Sequence, residues 1–173
     1  MLALGAQTER LIDALLTLAT SERGIERRAL LDLAGLAGQV ARAREPGEIS
    51  LVTDLDPAWG MGDPRLAESL IANLVDNALR YNVPAGWVKI ATATVAGCAV
   101  VSVRNSGPVV PAAEVERLFQ PFQRLQAGRT SRGGGHGLGL AIVRAIADAH
   151  GAQIRAQARD EGGLDVAVTF PAS

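Results

Sequence analysis

A chain of 173 residues, 48% of them hydrophobic, can bury one compact core with an extra helix beside it. Its 17 basic and 18 acidic residues leave a net charge of −1, which excludes the basic face that nucleic acid requires, and 3% aromatics offer bases little to stack on. A single cysteine, Cys98, excludes a disulfide framework or a thiolate metal cluster within the chain, and no apolar run approaches the ~20 residues that span a bilayer, so a soluble domain is expected.

From Gly5 to Thr20 the residues Leu11, Ile12, Leu15, Leu16 and Leu18 crowd towards one side, which predicts an amphipathic helix that packs on another helix. Ser21-Glu22-Arg23-Gly24 breaks it. A second helix is expected from the N-cap Asp32, with Leu31 and Leu36 at staple positions, to about Arg44, where Glu45-Pro46-Gly47 stops it. Ile49 to Leu55 alternates and reads as a strand. Asp63-Pro64 is a strong start for a third helix, running to about Tyr81, and Asn82 to Gly86 is a turn.

Trp87 to Val95 and Cys98 to Arg104 read as strands joined at Ala96-Gly97, with Cys98 a small buried hydrophobe. Pro111 to Phe119 looks like a short helix, and Leu125 to Gly135 like a mobile loop. The run Gly133-Gly134-Gly135-His136-Gly137-Leu138-Gly139 opens a fourth helix, ending at His150 with Gly151 as its cap. His150 suits a helix C-terminus, favoured by the dipole. Strands over Gln153 to Ala158 and Asp165 to Phe170 close the chain. Helices and antiparallel-type hairpins around one sheet give an α+β two-layer sandwich.

Four stretches could carry chemistry. Glycines leading into a helix start combine close backbone approach with unpaired N–H groups and a positive dipole end, a site for phosphate. Asn73 and Asn77 share a face of the third helix, continued by Arg80 and Tyr81. An asparagine oxygen is a neutral, hard ligand for Mg²⁺, which keeps waters and phosphates; the plainer reading is two solvated surface asparagines. Asn105 could accept a hydrogen bond from the exocyclic amine of adenine, with Gly107 letting the backbone pass close to a flat ring, or Asn105-Ser106-Gly107-Pro108 is an ordinary turn. Phe119 and Phe122 could anchor the loop before the glycine run, where Arg124, Arg129 and Arg132 could reach phosphate oxygens or simply be solvated.

In this order the four stretches resemble the catalytic, ATP-binding domain of bacterial two-component sensor histidine kinases, of the Bergerat ATPase superfamily. Leu70 to Tyr81 is similar to that family's asparagine box, Asn105 to Pro108 to its first glycine box, Phe119 to Phe122 to its phenylalanine box, and Gly135 to Leu140 to its second glycine box. The match runs roughly from Leu30 to Pro171. The resemblance implies a mixed, mostly antiparallel sheet packed on about three helices, with an extra N-terminal helix. It implies residues 1–24 as the remnant of a dimerisation helix and linker, and 25–173 as the ATP-binding domain.

By the same resemblance Asn77 ligands Mg²⁺, Asn73 supports the phosphates, and Arg80 and Tyr81 contact phosphate and nucleoside. Asn105, Gly107, Phe122, Arg124, Gly135, His136, Gly137, Leu138 and Gly139 complete the nucleotide site, and the stretch between Phe122 and Gly137 forms a lid. The implied partners are ATP, a dimerisation and phosphoacceptor domain and a response regulator, with no nucleic acid and no membrane contact by this piece. The setting implied is cytoplasmic, and an inner membrane could anchor the parent protein.

Two departures stand out. Asn105 replaces the family's usual Asp, and Val109 its last glycine, so the acceptor is kept and its charge lost; a charged hydrogen bond is worth ~1 kcal/mol more than a neutral one. The family's phosphoacceptor is a His followed by Glu or Asp, and neither His136 nor His150 has that setting. The chain is therefore expected to be part of a longer protein, or one acting in trans, that binds ATP without phosphorylating itself. The alternatives are a gyrase-type ATPase, an anti-sigma-type serine kinase, and a degenerate interaction module that no longer binds nucleotide.

Overall fold

The computed structural model describes residues 28–123 and 137–172, together with Leu16, Ala19 and Ile25. The helix expected over Gly5 to Thr20 lies outside these residues except for Leu16 and Ala19, both helical, and the loop expected over Leu125 to Gly135 lies wholly outside them.

One layer is a five-stranded sheet of β2 (Ser50–Leu55), β4 (Trp87–Val95), β5 (Cys98–Asn105), β6 (Gln153–Ala158) and β7 (Leu164–Thr169), in the order β2-β4-β5-β7-β6. The β2–β4 pair is parallel and the other pairs are antiparallel. The second layer is α1 (Leu33–Arg42), α2 (Pro64–Arg80) and α3 (Gly139–His150). The result is a two-layer α+β sandwich. Its core lies between Val88, Ile90, Val101 and Val166 of the sheet and Leu70, Leu74, Val143 and Ile146 of the helices. Among the described residues no helix is long and apolar enough to cross a membrane.

The helix boundaries follow from their caps. Asp32 Oδ1 accepts from Gly35 N at 2.9 Å, and Asp63 Oδ1 accepts from Arg65 N at 2.8 Å with Pro64 opening α2. At the end of α3, Gly151 takes φ +65°, Ala152 N donates to Ala147 O at 2.8 Å and Gly151 N to Asp148 O at 3.1 Å. That is the Schellman pattern, which needs a left-handed residue after the helix.

Two expectations are corrected, and one element stands outside them. Pro111 to Phe119 forms two 3₁₀ segments, Ala112–Glu114 and Glu116–Phe119, because nine residues are too few to hold an α-helix without strong packing. Cys98 opens β5 only half-buried, on the sheet face opposite Ala99 and Val101. The strands β1 (Ala29–Asp32) and β3 (Trp59–Gly62) pair antiparallel in a separate ribbon absent from the sequence reading. Two glycines in β3 hide it from propensity. Gly62 is there for room: a Cβ on it would collide with the His150 ring.

Candidate functional site

Asn73 and Asn77 project from the half-exposed side of α2, whose other side buries Leu70, Ile71, Leu74, Val75 and Ala78. Asn73 Nδ2 donates to Ser69 O at 2.8 Å, which fixes the amide plane and leaves Oδ1 as a free acceptor among the described residues. That oxygen faces the first turn of α3: a Cβ built on Gly139 would stand 3.6 Å from it. Leu138 gives α3 no side-chain cap, so the first amide groups of this helix are met by no capping side chain among the described residues. The side chain of Asn77 makes no hydrogen bond, and Arg80 no ion pair, among those residues.

The other side of the site is built at the end of β5. Asn105 is 5% exposed. Its Nδ2 donates to Ser106 O at 2.7 Å, so its Oδ1 is left as the acceptor. Gly107 is enclosed by the protein itself: a Cβ there would stand 2.8 Å from Tyr81 O and 3.2 Å from the Cα of Gly163. The end of α2 and the β6–β7 turn thus close on Gly107.

Phe122 N donates to Gly137 O at 3.1 Å, which joins the two chain segments flanking residues 124–136. Gly137 is at φ +68°, and a Cβ there would stand 2.8 Å from Gln123 O. Phe122 is at φ +63° and 66% exposed, a backbone position that a bulky residue seldom takes. Phe119, by contrast, is buried, with the Arg144 guanidinium 5.1 Å from its ring centre.

Of the candidate residues, the structure brings Asn73 to Gly139, Tyr81 to Gly107 and Phe122 to Gly137. Arg124, Gly135 and His136 lie outside the described residues. Among those residues no group of three or more His, Cys, Asp or Glu could hold a metal ion. A lone asparagine beside phosphates needs no such group, since Mg²⁺ takes few protein ligands. A cavity of about 220 Å³ opens elsewhere, between β1, α1 and Pro64 at the start of α2.

His150 ends α3 but carries no favourable charge for its dipole. It is 1% exposed, and burial pushes its pKa below the ordinary value of 6.5. The helix start it touches belongs to α2.

Sequence reasoning missed Asn82, Ser106 and Arg159. Arg159 Nη1 donates to Asn105 O at 3.2 Å while its guanidinium lies 4.5 Å from the centre of the Trp87 ring. Neither spacing nor pattern marks these residues; the contacts that link Ser106 to Asn82 and Arg159 to Asn105 join segments far apart in the chain.

A family model described as histidine kinase-, DNA gyrase B- and HSP90-like ATPase matches residues 62–173. The chain is 46% identical over 177 residues to the sensor protein CutS of Streptomyces coelicolor, covering 99% of this chain and 42% of that protein. It therefore spans about two fifths of the length of that relative. The nucleotide-free catalytic domain of the histidine kinase ThkA superposes with a TM-score of 0.69 at 27% identity, over 84% of this chain and 97% of that one. The Acinetobacter baumannii histidine kinase AdeS has a TM-score of 0.80 over 99% of this chain and 82% of its own, and at 24% identity supports the fold.

Proposed function

The chain belongs to the histidine kinase-, DNA gyrase B- and HSP90-like ATPase family, and we propose that it binds Mg·ATP and presents the γ-phosphate to a phosphoacceptor His on another domain. It is an ATPase domain of the histidine kinase type. In-line phosphoryl transfer asks such a domain for positioning and charge stabilisation rather than covalent chemistry.

The observation that carries the reading is the orientation of Asn73 Oδ1 towards the uncapped start of α3. Anionic phosphates suit that helix end by dipole and by free N–H groups. The acceptor-only, neutral oxygens of Asn73 and Asn77 suit a hydrated Mg²⁺, whose chemistry would be to neutralise charge on the phosphates; Asn77 would hold it. Arg80 would pair with phosphate and Tyr81 with the nucleoside. Asn105 Oδ1 would accept from the adenine amine, beside Gly107. Phe122, Arg124, Gly135, His136, Gly137, Leu138 and Gly139 would border the tail and form the lid.

Residues 1–24 would then belong to a dimerisation helix and linker and 25–173 to the ATP-binding domain, with a dimerisation and phosphoacceptor domain and a response regulator as partners. The gyrase-type reading has less support. An activating Glu would sit one turn before Asn77, where this chain has Asn73, which is no base. Glu68 is exposed and more than two turns away. His150 is enclosed and cannot receive phosphate.

Calorimetric titration with a non-hydrolysable ATP analogue, with and without Mg²⁺, tests the reading. Mg²⁺-dependent binding and slow ATP turnover are expected. Asn77→Ala should lose binding at an unchanged melting temperature. No heat at millimolar ligand, or a melting loss in Asn77→Ala without ligand that matches its loss of binding, would overturn it.

A further inference from the structure

Two halves of the proposed site stand on different chain segments: Asn73, Asn77 and Arg80 on α2, and Asn105 with Gly107 on the loop after β5. One polar joint connects them. Asn82, two residues past α2, uses its full hydrogen-bonding capacity. Nδ2 donates to Ala78 O at 3.1 Å and to Trp87 O at 3.1 Å. Oδ1 accepts from Val83 N at 2.9 Å and from Ser106 Oγ at 2.7 Å. Ser106 in turn accepts from Trp87 N through its hydroxyl at 2.7 Å, and its own N–H donates to Trp87 O at 3.0 Å. Room for the joint comes from Gly86, where a Cβ would collide with Asn82 Oδ1 and with Ser106 Oγ.

Each member binds a different element. Ala78 O is a carbonyl of the last turns of α2, Trp87 begins β4, and Ser106 follows Asn105 directly. The Ser106 carbonyl also receives the Nδ2 of Asn105, which turns that amide so that Oδ1 is the free acceptor. Fixing Ser106 therefore fixes which atom Asn105 offers, and where it lies relative to the helix that bears Asn77.

We infer that Asn82 and Ser106 are positioning residues that set the base preference of the nucleotide site by holding Asn105 in register with α2. The inference rests on the proposed Mg·ATP reading. Adenine offers an amine donor to Asn105 Oδ1, whereas guanine offers a carbonyl at the same place, so a correctly held Asn105 discriminates the two. The phosphate tail of either nucleotide meets the same residues of α2 and α3.

The test measures dissociation constants for Mg·ATP and Mg·GTP with the 173-residue chain and its Asn82→Ala, Ser106→Ala and Ser106→Thr variants, alongside melting temperatures. Asn82→Ala and Ser106→Ala should weaken Mg·ATP roughly tenfold and Mg·GTP less than twofold, as expected for one misplaced hydrogen bond to the base. Ser106→Thr keeps the hydroxyl and should retain the preference for ATP. Equal weakening of both nucleotides, or an unchanged ratio in Ser106→Ala, would overturn the inference and leave the Mg·ATP reading standing. If Asn82→Ala does not melt cooperatively, Ser106→Ala decides alone. Failure of the unaltered chain to bind either nucleotide would overturn both.

Discussion

The backbone N–H of Asp63 donates to Nε2 of His150 across 3.1 Å, so the residue that caps α2 is held by the residue that ends α3. An N–H always donates, so Nε2 must be the bare nitrogen, and Nδ1–H donates to Ile146 O at 2.8 Å. The ring meets Phe170 edge-on, with centroids 5.3 Å apart. Protonation would set an N–H against an N–H inside the core. Burial is the main cause of the lowered pKa, helped by the Arg28 charge and opposed by the Ile146 carbonyl and the Asp63 carboxylate.

A histidine held neutral in the fold gives a definite sign. Its folded pKa lies below the unfolded 6.5, so the unfolded chain binds the proton more readily. Stability should be complete above that value and fall as the pH drops below it, at no more than about 1.4 kcal/mol per pH unit for one proton, levelling off below the folded pKa. Urea unfolding of the chain and of His150→Gln between about pH 5.5 and 7.5 checks this; the difference cancels any contribution from His136. A parent chain whose stability is as flat with pH as the variant's would refute it.

Gly139→Ala separates room for a ligand from room for the fold. The added Cβ would meet Asn73 Oδ1 at 3.6 Å, ordinary contact, and alanine suits a helix better than glycine by up to ~1 kcal/mol. The variant should melt at or above the parent temperature. It should nevertheless bind Mg·ATP at least severalfold more weakly, because the methyl stands between Asn73 and the helix start. Undiminished affinity would place the phosphates elsewhere.

How much of this was legible depended on whether the signal was local. The caps Asp32, Asp63 and Gly151 act within a few residues, and the sequence placed the starts of α1 and α2 and the end of α3 closely. The hairpin at Ala96-Gly97 was likewise local. The β1–β3 ribbon was not, because its glycines weaken the strand signal and the need for Gly62 comes from His150 on a distant element. His150 was read from its helix alone, and its neutral state depends on the Asp63 N–H. At the site, the asparagines and glycines were visible as motifs. The Asn82–Ser106 joint was not, since two ordinary polar residues 24 positions apart carry no pattern.

The β4–β5 turn offers a gain in stability remote from the site. Ala96 at φ +50° and Gly97 at φ +80° form a two-residue turn with both residues left-handed, the primed type that favours Asn-Gly. Ala96→Asn should therefore stabilise the chain by about 0.5–1 kcal/mol, read as a rise in melting temperature, with nucleotide affinity unchanged. A fall in melting temperature would count against the turn geometry.

Phe119 and Phe122 are three residues apart and should respond oppositely to truncation. Phe119 is 4% exposed, and Arg144, itself paired to Glu116 at 2.9 Å, lies over its ring. Phe119→Ala should cost about 3–5 kcal/mol through lost burial and the cavity left behind. Phe122 is 66% exposed at φ +63°, so its side chain contributes little burial while its backbone sits where glycine is preferred. Phe122→Gly should keep the Phe122 N–H donated to Gly137 O and shift stability by less than ~1 kcal/mol, in the stabilising direction. Denaturant midpoints of the two variants check the contrast; a loss in Phe122→Gly as large as in Phe119→Ala would show that Phe122 packs against the chain in solution.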